Sequence, residues 1–204
     1  MILYFAPLAC SLASRIALYE ADIPAAFQEV VLSTKQLKAG GDYLPINAKG
    51  QVPALALDDG QVITEGPAVL QFIADQAPDS GLAPPAGSLA RTELQGWLNM
   101  LASELHSNFV AFMHPASPPA AKDFARMRIT PRLDLLEQHL AGRETLMDGF
   151  TVADAYLVTI LGWSEHCQFD LAQWPALAAY RARMRARPAV ARALGEELAL
   201  RAAA

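Results

Sequence analysis

Cys10 is one of two cysteines in the chain, and its surroundings give the first hint of chemistry. The apolar run Ile2–Phe5 reads as a buried strand, and Ser11–Glu20 has the periodicity of a helix. Ala6-Pro7-Leu8-Ala9-Cys10-Ser11-Leu12-Ala13 is therefore a strand-to-helix turn. Free amides and the positive end of the helix dipole gather at such a turn, and both favour an anion. A thiol there is expected to have a lowered pKa and to be a nucleophilic thiolate at neutral pH. The position equally suits a small buried hydrophobe, and position alone leaves both readings open.

The elements that must hold this turn follow in order. Phe27–Val31 is a second strand, parallel to the first if the helix between them is a crossover. Ser33–Lys49 is polar and loop-like. Gly50–Leu57 opens a third strand, Asp58-Asp59-Gly60 is a hairpin turn, and Gln61–Thr64 returns. Glu65-Gly66-Pro67 starts a helix that runs to about Ala77, with proline at a position that suits a first turn. Pro78–Gly87, with three prolines and two glycines, is the clearest linker. No strand pattern returns after it. Helices are expected over Ser88–Met113, Lys122–Leu140 (with Phe124, Met127, Leu133, Leu136 and Leu140 near helical spacing), Val152–Glu165, Ala176–Arg187 and Ala189–Leu200. Val152–Glu165 is apolar nearly all round, as in the central helix of a bundle. The tail Arg201–Ala204 is expected to fray. The expected organisation is thus an α/β domain over 1–77, a linker over 78–87 and an all-helical domain over 88–204.

Composition narrows the functions. The 204 residues are 53% hydrophobic and 18% charged, and no apolar run reaches transmembrane length. A net charge of −5 argues against nucleic acid as a partner. Arg181, Arg183, Arg185 and Arg187 are scattered around a helix by their spacing and read as a solvated surface. Met1 leads straight into the first strand with no signal-like segment, so the reducing cytoplasm is the expected compartment. Two cysteines are too few for a disulfide framework, and Cys167 reads as structural. The four histidines show no paired ligand spacing, so no metal is expected. Thr151-Val152-Ala153-Asp154 reads as a helix-capping box, a folding signal without a catalytic role.

Several patterns, taken together and in order, resemble a cytosolic glutathione transferase, most closely the bacterial beta class. They are Ala9-Cys10-Ser11-Leu12-Ala13, Asn47-x-Lys49-Gly50-Gln51-Val52-Pro53-Ala54-Leu55, Thr64-Glu65-Gly66-Pro67-Ala68, Trp97-Leu98-Asn99, Glu104-Leu105-His106 and Phe150-Thr151-Val152-Ala153-Asp154-Ala155-Tyr156. The likeness runs essentially the whole length. It implies a thioredoxin-like N-terminal domain followed by a C-terminal helical bundle, with glutathione as cosubstrate and no tightly bound cofactor.

The resemblance also implies roles. Val52 precedes a cis Pro53 and pairs its main chain with the cysteinyl backbone of glutathione. Glu65 and the Gly66 amide receive the γ-glutamyl end, and Lys35 pairs with the glycyl carboxylate. Many relatives carry serine at position 66, so Gly66 leaves only the amide. His106 lies near Cys10 and the glutathione sulfur, while Asn99, Ser103 and Glu104 reach the neighbouring subunit's ligand in a homodimer. Phe109, Phe112 and Trp163 line a pocket for a hydrophobic electrophile. Without that context Lys35 reads as a solvated loop lysine, His106 as a satisfied interface histidine, and the three aromatics as plain core.

Two functions of different class follow. One is an enzyme that conjugates reduced glutathione to hydrophobic electrophiles. Its redox variant, at Cys10, must be monothiol, because Ala13 stands where a resolving cysteine would be. The other is a non-catalytic ligand-binding protein on the same fold. Retention of Cys10, Lys35 and Glu65 favours the enzyme.

Overall fold

A computed structural model describes residues 1–202. The first part of the chain runs β1 (Ile2–Phe5), α1 (Leu12–Glu20), β2 (Ala26–Val31), β3 (Gln36–Leu37), β4 (Ala54–Ala56), β5 (Val62–Thr64) and α2 (Gly66–Gln76). The five strands form one mixed sheet in the order β3-β2-β1-β4-β5. β1 and β2 are parallel, joined by α1 as crossover, and the other pairs are antiparallel. β3 lies in the stretch that reads as loop. It is two residues long, and Gly40 and Gly41, both at positive φ, turn the chain back beside it. Leu12 to Leu18 of α1 are all buried, which explains their near-continuous apolar character.

The rest is helical: α3 (Leu89–Met100), α4 (Ser107–Met113), α5 (Pro119–Leu140), α6 (Val152–Leu161), α7 (Pro175–Arg185) and α8 (Pro188–Ala202). Prolines occupy the first turns of α2, α5, α7 and α8, where their missing N–H costs nothing. Every residue of α6 is buried, as its apolar sequence requires. In α5 the core-facing residues are Ala125, Ile129, Leu133, Leu136 and Leu140. Phe124 and Met127, which the spacing assigned to that stripe, are instead 59% and 61% exposed. Among the described residues no helix is long and apolar enough to cross a membrane. Of the tail expected to fray, Arg201 and Ala202 belong to α8, and the last two residues lie outside the described ones.

The chain divides into two compact units: Met1–Ala83 together with α8, and Pro84–Arg187. The expected all-helical domain over 88–204 therefore gives up its last helix to the first unit. The reason is chemical. Arg15 of α1 is buried with its guanidinium 4.3 and 4.0 Å from the ring centres of Phe5 and Phe27, and such a buried cation needs counter-charge. α8 supplies it through Glu196, 2.9 Å from Nη1, and Glu197, 3.1 Å from Nε.

In the second unit Asp154 is a buried hub. Its Oδ2 accepts from the Thr151 amide at 2.8 Å and from the Thr151 hydroxyl at 3.1 Å. Its Oδ1 accepts from the Leu146 amide at 2.9 Å and from the Tyr180 hydroxyl at 2.9 Å. The motif read as a cap thus also ties a loop and α7 to the start of α6. Thr151→Ala is expected to lower stability by about 0.5–2 kcal/mol. Asp154→Ala should lower it more, since each stranded buried donor costs about 1–3 kcal/mol. Urea unfolding of both variants checks the order, and activity per folded molecule should not change.

Candidate functional site

The first unit builds its site around the Cys10 turn. The turn leaves β1 at Ala6, whose amide donates to Ser11 Oγ at 3.2 Å while Ser11 Oγ donates back to the Ala6 carbonyl at 3.3 Å. Leu8 within it adopts a left-handed backbone, φ 61°. In β1 and β4 Tyr4 pairs with Ala54 in antiparallel register. Residues just before Ala54 therefore run beside those just after β1. There the Val52–Pro53 peptide is cis, and the Cys10 thiol donates to the Val52 carbonyl at 3.0 Å.

This hydrogen bond corrects the expectation of a thiolate. Burial pushes the Cys10 thiol up to about 12, and the negative charges of Glu197 and Glu65 push the same way. The amides of Cys10 and Ser11 pull it down, as the turn geometry suggests, but they do not outweigh desolvation. The half-buried thiol's contact with the Val52 carbonyl and the upward shift both favour a protonated Cys10 that donates.

The remaining first-unit residues surround the same loop. Tyr43 Oη and Asn47 Nδ2 both donate to the Gln51 carbonyl, at 2.8 and 2.7 Å, and fix the approach to Val52. Lys35, itself left-handed with φ 58°, donates from Nζ to the Gly50 carbonyl at 2.9 Å. Gly50 also has positive φ, and a Cβ there would stand 2.9 Å from the Lys35 side chain, so this close approach needs glycine. Glu65 follows β5 with φ 73° and forms an ion pair with Lys49. Both groups are more than half exposed, so that pair contributes little. Gly66 opens α2, whose first amides point where an anion is favoured. A Cβ at Gly66 would meet nothing within 4 Å.

The second unit holds the other residues singled out by sequence. Between α3 and α4 the helix widens into a π-helical stretch, Leu101–His106, so the long helix is continuous but changes its turn at Ser103, Glu104 and His106. Polar side chains satisfy carbonyls along it: Ser103 Oγ donates to Asn99 O and Asn108 Nδ2 to Glu104 O, both at 2.8 Å. Asn99 and Ser103 are exposed, and Glu104 is ion-paired with Arg132. His106 Nδ1 and the Tyr156 hydroxyl share a hydrogen bond of 2.6 Å, and the ring centres of His106 and Trp163 are 5.0 Å apart. Burial lowers the His106 pKa, which favours a neutral imidazole. Phe109 is fully buried and packs edge-on against Trp163 and Phe169. Phe112 packs on Phe169 as well and borders a cleft of about 300 Å³ whose other walls include Lys122, Arg126 and His166.

Sequence reasoning missed Lys49 and Tyr43 as partners of the site, and missed Arg15 and Glu197 altogether. The available signal was a charge inside each apolar helix, Arg15 in Leu12–Leu18 and the Glu196-Glu197 pair in α8.

The protonated Cys10 has a kinetic signature. In a Cys167→Ala background, iodoacetamide should alkylate Cys10 more slowly at pH 7 than it alkylates free cysteine. Because the raised pKa keeps the thiol protonated until pH approaches 12, the rate should still be climbing at pH 10. A plateau below pH 8, read by intact mass, would restore the thiolate.

Comparison with known proteins adds a separate line of observation. Residues 9–76 match the model of the glutathione S-transferase N-terminal domain, and residues 100–188 match that of the C-terminal domain. The chain is 40% identical to glutathione S-transferase GstA of Escherichia coli O157:H7 over 198 residues, 97% of this chain and 98% of that one. A sphingomonad glutathione S-transferase solved with glutathione superposes with a TM-score of 0.93 at 44% identity, covering 97% of this chain and 98% of the other. A bacterial beta class glutathione S-transferase from Sphingomonas chungbukensis superposes with a TM-score of 0.94 at 42% identity, with 97% and 98% covered.

Proposed function

The chain belongs to the beta class of the glutathione S-transferase family, and from that premise we propose that it transfers reduced glutathione to hydrophobic electrophiles. It is a transferase with glutathione as cosubstrate rather than as resident cofactor. The observation that carries the reading is the Cys10–Val52 contact, a thiol donor held against the main chain next to cis Pro53.

In this reading the Val52 main chain pairs with the cysteinyl backbone of glutathione, as an added strand would. Lys35 takes the glycyl carboxylate; its ammonium has three protons and gives one to Gly50. Glu65 takes the γ-glutamyl ammonium, and the Gly66 amide takes the carboxylate beside it. Cys10 keeps its proton; when glutathione pairs with the Val52 main chain, the single S–H turns from the Val52 carbonyl to the sulfur of glutathione. Only one sulfur in the site then ionises, and it is the one that attacks. Two thiolates held together would repel, and the burial of Cys10 removes that conflict. Binding orients the nucleophile, and the donor stabilises its charge.

The same protonation weighs against the redox alternative, in which Cys10 itself attacks a disulfide or peroxide. Retention of Cys10, Lys35 and Glu65 weighs against a non-catalytic binder. His106, Asn99, Ser103 and Glu104 are assigned to the glutathione side of the helical unit, and Phe112 and Trp163, backed by Phe109, to the electrophile. The protein works as a cytoplasmic homodimer.

Calorimetry and turnover with an activated chloronitroarene test this. Lys35→Ala and Glu65→Ala should each weaken glutathione binding by about 1.5–3 kcal/mol. Gly66→Ser, which has room for its side chain, should tighten binding by about 1 kcal/mol through the added hydroxyl. Unchanged affinity in both alanine variants, or no conjugation by the wild type, would overturn the proposal.

A further inference from the structure

Glu197 lies nine residues after the start of α8, and its side chain is fully buried. One carboxylate oxygen, Oε2, accepts from the backbone amide of Leu8 at 2.6 Å. Leu8 is the left-handed residue of the turn, two positions before Cys10. A leucine at positive φ carries a steric cost, and it persists only where the surroundings hold it. The other oxygen, Oε1, faces Arg15 Nε at 3.1 Å, a charge contact without hydrogen-bond alignment. Arg15 in turn is fixed between the rings of Phe5 and Phe27. Glu196 holds the other end of that guanidinium, along with Arg192 and the Tyr19 hydroxyl.

We propose that Glu197 is a positioning residue for glutathione transfer: as acceptor of the Leu8 amide it holds the turn that sets where the Cys10 thiol meets Val52. The last helix of the chain thereby reaches the reacting centre through one backbone hydrogen bond. Arg15 serves Glu197 rather than the turn, because it anchors the carboxylate from the side opposite Leu8. The proposal rests on the transferase reading for its kinetic consequence and on geometry alone for its structural one.

Two substitutions separate the acceptor from the charge. Glu197→Gln keeps an oxygen at the same reach and loses the charge. Glu197→Asp keeps the charge and draws the oxygens back by about 1.5 Å, one carbon–carbon bond. Leu8 amide hydrogen exchange, measured by NMR on the full chain, should stay within twofold of wild type in Glu197→Gln and rise at least tenfold in Glu197→Asp. The KM for glutathione should rise at least fivefold in Glu197→Asp, with kcat changing less, and should move less than twofold in Glu197→Gln. Should Glu197→Asp fail to fold, Leu8 amide protection in Glu197→Gln against wild type still decides, since loss of protection there overturns the acceptor role. A wild-type-like Glu197→Asp, or equal damage in both variants, would also overturn it. If the wild type does not turn over glutathione, the exchange pattern tests Glu197 alone, and the failure belongs to the transferase reading.

Discussion

The pairing of β4 against β1 is the constraint on which the rest of the first unit's site depends. Tyr4 and Ala54 face each other at one end of the ladder, so the chain leaving β1 and the chain entering β4 run side by side. The thiol and the cis peptide gather in that short interval. Cys10 lies on one side of it, and Val52 with cis Pro53 on the other. Tyr43 and Asn47 brace the β4 side through the Gln51 carbonyl, and Ser11 braces the β1 side through Ala6. Backbone pairing gives this arrangement a precision that mobile side chains alone would lack.

That geometry also decides the charge state of the sulfur. A helix N-terminus does lower a thiol's pKa, and the Cys10 and Ser11 amides act in that direction. The same close fit removes water, which raises it, and two carboxylates add to the rise. Desolvation is the larger effect. The thiol becomes a donor, which suits a site whose substrate brings its own sulfur.

Much of this was legible in sequence, and the limits have physical reasons. Strong periodicity marked β1, α1, α6 and the proline-led helix starts, because burial on one or all faces leaves an apolar pattern. Val52-Pro53, Glu65 and Cys10 were legible through local motifs, since each depends on nearby chain. β3 was not, because a strand of two residues is too short to carry a periodicity. The π-helical stretch was not, since its side chains keep the helical spacing of Leu98, Leu101, Leu105 and Phe109. The membership of α8 in the first unit was hidden because it rests on Arg15 meeting Glu196 and Glu197, about 180 residues away. The protonation of Cys10 was hidden because turn type fixes the amides but says nothing of how much water the packed fold excludes.

The last helix has a consequence for how the protein is made. The N-terminal part of the first unit, through Ala83, emerges first from the ribosome, with Arg15 in an apolar helix and two aromatic residues to flank it. Its counter-charges are encoded about 180 residues later. At about 5–20 residues per second the nascent chain waits roughly 10–40 seconds for them. During that interval the sheet has no partner for its buried cation and no clamp on Leu8. Completion of the first unit therefore waits for α8, and a polypeptide cut short before α8 leaves the Cys10 turn without its Leu8 contact.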